Sequence, residues 1–217
     1  MAASTGSPAV VEVLIAAGAN VGAADPYGNT ALMLAAAVLH ADVMALLLKA
    51  GADPATVDSL GETVLMSVAG QGNDYLARLL LKAGAGTSAA NQAGQTALML
   101  AAQGGYDVTV DLLLKAGANI DAADNLGRTS LSLAAIEDHV ATVDLLLKAG
   151  AQVHEGTRIP QAVRLIASSV DRLWGSDRQE LAALQRVSLA LEEVTVSMAS
   201  AAIEMREAAD RLEHAKQ

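Results

Sequence analysis

The chain has 217 residues, 53% of them hydrophobic, so it carries enough apolar surface to fold and is not a disordered polymer. Its formal charge of −10 is unevenly placed: residues 1–156 hold six Lys and Arg against fifteen Asp and Glu, and the remainder hold eight against nine. The first part is therefore acidic and has no basic stripe to neutralise phosphates, which disfavours nucleic acid and favours a basic or neutral protein surface as partner.

In chain order, Met1 to Ala19 contains Glu12 and Gly18 and lacks a charged leader before an apolar run, so no secretory signal is read there. No array segment reaches the roughly 18 uncharged residues a membrane span needs. No membrane insertion is expected, and the cytoplasm is the default compartment. "VLIAAGA" at Val13–Ala19 is a weak copy of "LLLKAGA", which returns at Leu46–Ala52, Leu79–Ala85, Leu112–Ala118 and Leu145–Ala151, always 33 residues apart. A second register agrees: Gly28, Gly61, Gly94 and Gly127 are also 33 apart, each followed two residues later by Thr30, Thr63, Thr96 or Thr129. Two registers with one period define an array of repeats. Aligning Gly18 with Gly51 sets Met1 at the place of Leu34, so the chain opens inside the first helix of a repeat. A solenoid end normally carries a capping repeat with a polar outer face, and the expectation is a longer parent array with further N-terminal repeats.

Within one copy, Gly-x-Thr reads as a turn feeding a helix capped by the Thr hydroxyl. The first helix, as in "TALMLAA" at Thr30–Ala36, is Ala-rich and allows close approach of a neighbour. A polar break follows at His40, Asn73, Tyr106 and His139, then a second helix ending in Leu-Leu-Leu-Lys-Ala-Gly. Lys49 and its equivalents suit the negative end of the helix dipole, and Gly51, Gly84, Gly117 and Gly150 suit a left-handed closure. An extended finger such as "ANIDAAD" at Ala118–Asp124 leads to the next turn.

In length, order and landmarks the unit resembles the ankyrin repeat over about residues 1–156. The resemblance implies an all-α repeat fold: an ankyrin-type α-solenoid of stacked helix-turn-helix units with β-hairpin-like fingers, followed here by C-terminal helices. Where the family usually carries Thr-Pro-Leu-His, this chain has Thr30-Ala31-Leu32-Met33 and its equivalents up to Thr129-Ser130-Leu131-Ser132. The Pro and the inter-repeat His are lost, and stability is expected to lean on apolar packing. Met33, Met66 and Met99 are read as filling gaps between repeats.

After the array, residues 157–175 keep a trace of the register in "AVRLIAS" at Ala162–Ser168, and are read as a decayed capping repeat with Trp174 packed against the last full repeat. Residues 176–217 read as one long amphipathic helix. Leu184, Leu191, Met198, Met205 and Leu212 recur every seven residues, with Val187 and Val194 between them, forming a coiled-coil-like seam. The seam suits self-association or a partner helix through residues 177–214, and equally suits packing back on the solenoid.

The absence of cysteine removes disulfides, thiolate metal sites and cysteine nucleophiles. Four His without ligand spacing, no phosphate loop and no serine elbow leave no catalytic residue, metal or cofactor to assign. His40 and His139 are read as structural, and Asp107 and Asp111 as a solvated helix face. Function is sought on the surface. The resemblance implies binding of another protein by the finger tips and the concave face of the first helices. The slots that vary from copy to copy are Tyr27 and Asn29, Leu60 and Glu62, Gln92 and Gln95, and Leu126 and Arg128 at the tips, and Val38, Gln71, Gln103 and Glu137 at the helix ends. Tyr27, Leu60 and Leu126 are the anchor candidates.

Overall fold

The computed structural model describes Ala3 and residues 7–152; the capping segment, Trp174 and the heptad seam lie outside the described residues. Among the described residues there are nine helices and no regular strand. α1 (Pro8–Ala16) stands in the register of a second helix. Four pairs follow: α2 (Ala31–Ala37) with α3 (Ala41–Lys49), α4 (Val64–Gly70) with α5 (Asp74–Lys82), α6 (Ala97–Gln103) with α7 (Asp107–Lys115), and α8 (Ser130–Ile136) with α9 (Val140–Lys148). The fingers close as isolated antiparallel bridges, Ala24 to Thr30, Val57 to Thr63, Ala90 to Thr96 and Ala123 to Thr129. The architecture is the expected all-α solenoid with hairpin-like fingers. Among the described residues no helix is long and apolar enough to cross a membrane.

Each first helix starts where the register places it. Thr30, Thr63, Thr96 and Thr129 are extended N-caps whose hydroxyls accept the N–H of Met33, Met66, Met99 and Ser132 at 3.2–3.4 Å. At Thr129 the lost family His is replaced by a reciprocal box: the Thr129 N–H donates to Ser132 Oγ at 2.8 Å. The second helices α3, α5, α7 and α9 each end with a Lys in the last turn and a left-handed Gly, at φ 89, 88, 84 and 94° for Gly51, Gly84, Gly117 and Gly150.

The break between helices also turns through the left-handed region, at Leu39, Gly72, Gly105 and Asp138 (φ 59–68°). A Cβ on Gly105 would stand 2.6 Å from His139 Nδ1, and one on Gly72 would strike the Tyr106 ring. The ring at one break thus lies over the glycine of the break before it. Leu39, the bulky exception, precedes a repeat whose break carries the smaller Asn73. His139 Nε2 also reaches the Gln103 carbonyl at 3.0 Å, so a polar link between repeats persists at the break although the family's usual His is missing.

First helices stack on first helices, α2 on α4 on α6 on α8, through alanines with almost no exposure such as Ala35, Ala36, Ala69, Ala101, Ala102 and Ala134. Second helices meet as α1 with α3, α5 with α7 and α7 with α9. Of each Leu-Leu-Leu triplet only the middle residue, Leu47, Leu80, Leu113 or Leu146, is fully buried; each contributes roughly 2 kcal/mol of apolar burial. Met33, Met66 and Met99 are buried in the same core. Asp111 pairs with Lys115 at 2.6 Å on the exposed side, as expected of a solvated face. Asp107 differs, because it accepts the buried hydroxyl of Thr142 from the next repeat.

Candidate functional site

The finger tips are built around a residue that the Gly and Thr registers do not reveal. At Asp25, Asp58, Asn91 and Asp124 the side-chain Oδ1 accepts the backbone N–H of the residues two and four further on: Tyr27 and Asn29, Leu60 and Glu62, Ala93 and Gln95, Leu126 and Arg128, all at 2.8–3.0 Å. Neighbouring fingers are then joined by the N–H of Ser59, Gln92 and Asn125, donated to the carbonyls of Tyr27, Leu60 and Ala93 at 2.8–3.0 Å. The Gln92 and Asn125 side-chain amides strengthen the ladder, donating to the Ser59 and Gln92 carbonyls at 2.8 Å. The Asn29 amide and backbone N–H, with the Tyr27 N–H, hold the Asp25 carboxyl below the usual carboxylate range. Burial pushes the Asp124 carboxyl up, but the N–H and guanidinium of Arg128 and the N–H of Leu126 outweigh it and leave the net shift downward.

With these tip amides and carbonyls held inside the finger and the ladder, the side chains at the outermost place do no structural work. Tyr27, Leu60 and Leu126 occupy it with 70%, 57% and 76% exposure, and Ala93 takes the same place in the third finger. The polar candidates divide. Asn29, Glu62, Gln95 and Arg128 are half-buried. Asn29 donates to Asp25 at 3.0 Å, Glu62 accepts from Asn91 at 3.4 Å, and Arg128 pairs with Asp124 at 2.7 Å. Gln92 is exposed but engaged in the ladder.

At the helix ends Val38, Gln71 and Glu137 are exposed, and Gln103 is half-buried. Gln71 returns its amide to the Ser67 carbonyl at 3.1 Å. The tips precede and the helix ends follow the seven-residue first helices, each about 10 Å long, so the two sets are separated along every repeat. Val57, at the bridge with Thr63, is also exposed; it stands where the other fingers carry Ala24, Ala90 and Ala123, and that departure from register is the signal that marks it. Tyr75 and Val108 are exposed in the first turns of the second helices α5 and α7. Among the described residues no group of His, Asp and Glu is arranged to hold a metal ion.

Paired helices on a 33-residue period, Thr caps, left-handed closures and bonded fingers define an ankyrin repeat array. A family model described as ankyrin repeats (3 copies) matches residues 1–89 and 65–156, and the chain belongs to that family. No curated protein matches the chain. Ankyrin repeats generally mediate protein–protein interaction, and the family is typically non-enzymatic.

Proposed function

We propose that the chain is a cytoplasmic, non-enzymatic binding module that holds another protein on its finger tips and first-helix ends. Tyr27, Leu60 and Leu126 are the anchors. The observation that carries this reading is the outermost tip place, where three of four fingers expose a large apolar side chain that the finger itself does not use. A desolvated anchor of this kind is worth on the order of 2 kcal/mol in a protein interface. The acidity of residues 1–156 favours a basic or neutral partner surface. Affinity capture with the full chain tests the reading: a partner held by the parent is lost by Leu60→Asp/Leu126→Asp, and retention of every partner by that variant refutes it.

The domain division that goes with this function is an array over residues 1–156, a capping segment over 157–175 and a long helix over 176–217. The seven-residue recurrence of Leu184, Leu191, Met198, Met205 and Leu212 favours a second reading, in which the chain is an assembly subunit that docks through this seam. Light scattering of the full chain against Leu191→Asp/Met198→Asp separates the two, since only assembly through the seam makes that variant smaller in mass.

A further inference from the structure

The four helix pairs meet at three junctions, and the first is built unlike the other two. Between α2–α3 and α4–α5 the backbones approach least. Among the described residues α3 and α5 are the neighbouring second helices that do not pack closely, and α2 meets α4 less extensively than α4 meets α6 or α6 meets α8. Leu76 on α5 supplies a cause. It is fully buried at a place that Val43, Thr109 and Thr142 fill with smaller side chains, and a longer side chain in a seam holds two helices apart.

The breaks repeat the difference. At the second and third junctions a ring closes over a left-handed glycine, Tyr106 over Gly72 and His139 over Gly105. At the first, Asn73 stands in the ring's place and turns its amide oxygen back to the Leu76 N–H of its own helix at 3.1 Å. Opposite it Leu39 holds the left-handed turn at φ 59°, with the strain a side chain brings there, and stays 42% exposed. The fingers agree. Gln92 and Asn125 each reach the preceding finger by backbone N–H and by side-chain amide, whereas Ser59 reaches Tyr27 by its backbone N–H alone, at 2.8 Å.

We propose that the array bends at this first junction, pivoting on the Ser59–Tyr27 bond, with α2–α3 on one side and α4–α9 on the other. The finger tips stay in step, while Val38 parts from Gln71, Gln103 and Glu137. The consequence for binding rests on the finger-tip reading: the helix ends fit themselves to a partner that the tips hold. The lack of cysteine lets paired spin labels report on the full chain with no partner present. Asp42, Tyr75, Val108 and Ala141 hold one exposed place in successive second helices. Labels at Asp42→Cys/Val108→Cys and at Tyr75→Cys/Ala141→Cys each span two repeats, about 20 Å, and only the first pair crosses the hinge. Its distance distribution is roughly twofold broader than that of the second pair. A tip pair across the same junction, Tyr27→Cys/Ala93→Cys, stays as narrow as the second pair. Adding Leu39→Gly/Asn73→His, which sets a ring over a glycine as at Gly105, narrows the first pair to the width of the second. Equal widths in the two helix pairs, a broad tip pair, or a width that the added ring leaves unchanged overturns the proposal. Such a failure leaves the finger-tip reading untouched, and a capture result against the tips leaves the distances standing.

Discussion

Thr109 and Thr142 hold the same place in consecutive second helices, each 1% exposed, and their substitution by valine shifts stability in opposite directions. Thr142 donates its hydroxyl to Asp107 Oδ1. The Thr109 hydroxyl has no partner, and Asp74, the counterpart of Asp107, stays exposed in solvent. A buried, unpaired hydroxyl costs about 1–3 kcal/mol. Valine keeps the shape, and Val43 already fills this place two repeats earlier with no exposure. Thr109→Val therefore stabilises by roughly 1 kcal/mol, taking the lower end because some of the cost is relieved by local motion. Thr142→Val removes a hydrogen bond to a charged acceptor and destabilises by about 1–2 kcal/mol. At the melting midpoint these correspond to a rise of about 2–4 °C and a fall of similar or somewhat larger size. Thermal unfolding followed by circular dichroism, with urea midpoints at unchanged m, reads both. A Thr109→Val variant that loses as much as Thr142→Val shows that Asp74 reaches Thr109 in solution, and the unpaired-hydroxyl reasoning is then wrong.

Four further outcomes follow from the frame. Gly105→Ala adds contact with the His139 ring to the cost of a left-handed Cβ, and lowers stability by about 2–3 kcal/mol in urea. Gly127→Ala, left-handed but with open space around it, costs only about 1 kcal/mol. Thr63→Ala leaves the Met66 N–H without its cap and costs about 1 kcal/mol by the same measurement. Asp25 and Asp124 titrate below their unfolded value, so the stability they confer is present above about pH 4 and is lost as pH falls through their lower folded pKa values. A melting series from neutral to acid pH shows this loss, and Asp124→Asn makes its slope shallower.

Most of the frame was legible because it is written in residues whose backbone roles are narrow. Thr at an N-cap and Gly at a left-handed closure each have one physical reason to recur, so their two registers located the helix ends. The Asx staple was harder to see because Asp25, Asp58 and Asp124 alternate with Asn91, an identity change that leaves the accepting oxygen in place. The Asp107–Thr142 bond joins residues 35 apart, off the 33-residue period, and no register comparison brings them together. For the candidate site, the sequence marked which places vary but not where their side chains turn. Asn29, Glu62 and Arg128 vary and are held within the fingers, whereas Tyr27, Leu60 and Leu126 vary and stand free.

The most direct test of the binding reading compares two equally drastic surface changes in one capture experiment. Leu60→Asp/Leu126→Asp alters the finger tips, and Tyr75→Asp/Val108→Asp alters exposed apolar residues on the second helices. With partners quantified by mass spectrometry against the parent chain, the predicted result is loss of the specific partner from the finger variant and its retention by the helix variant; retention by the finger variant, or loss only from the helix variant, contradicts the finger-tip reading.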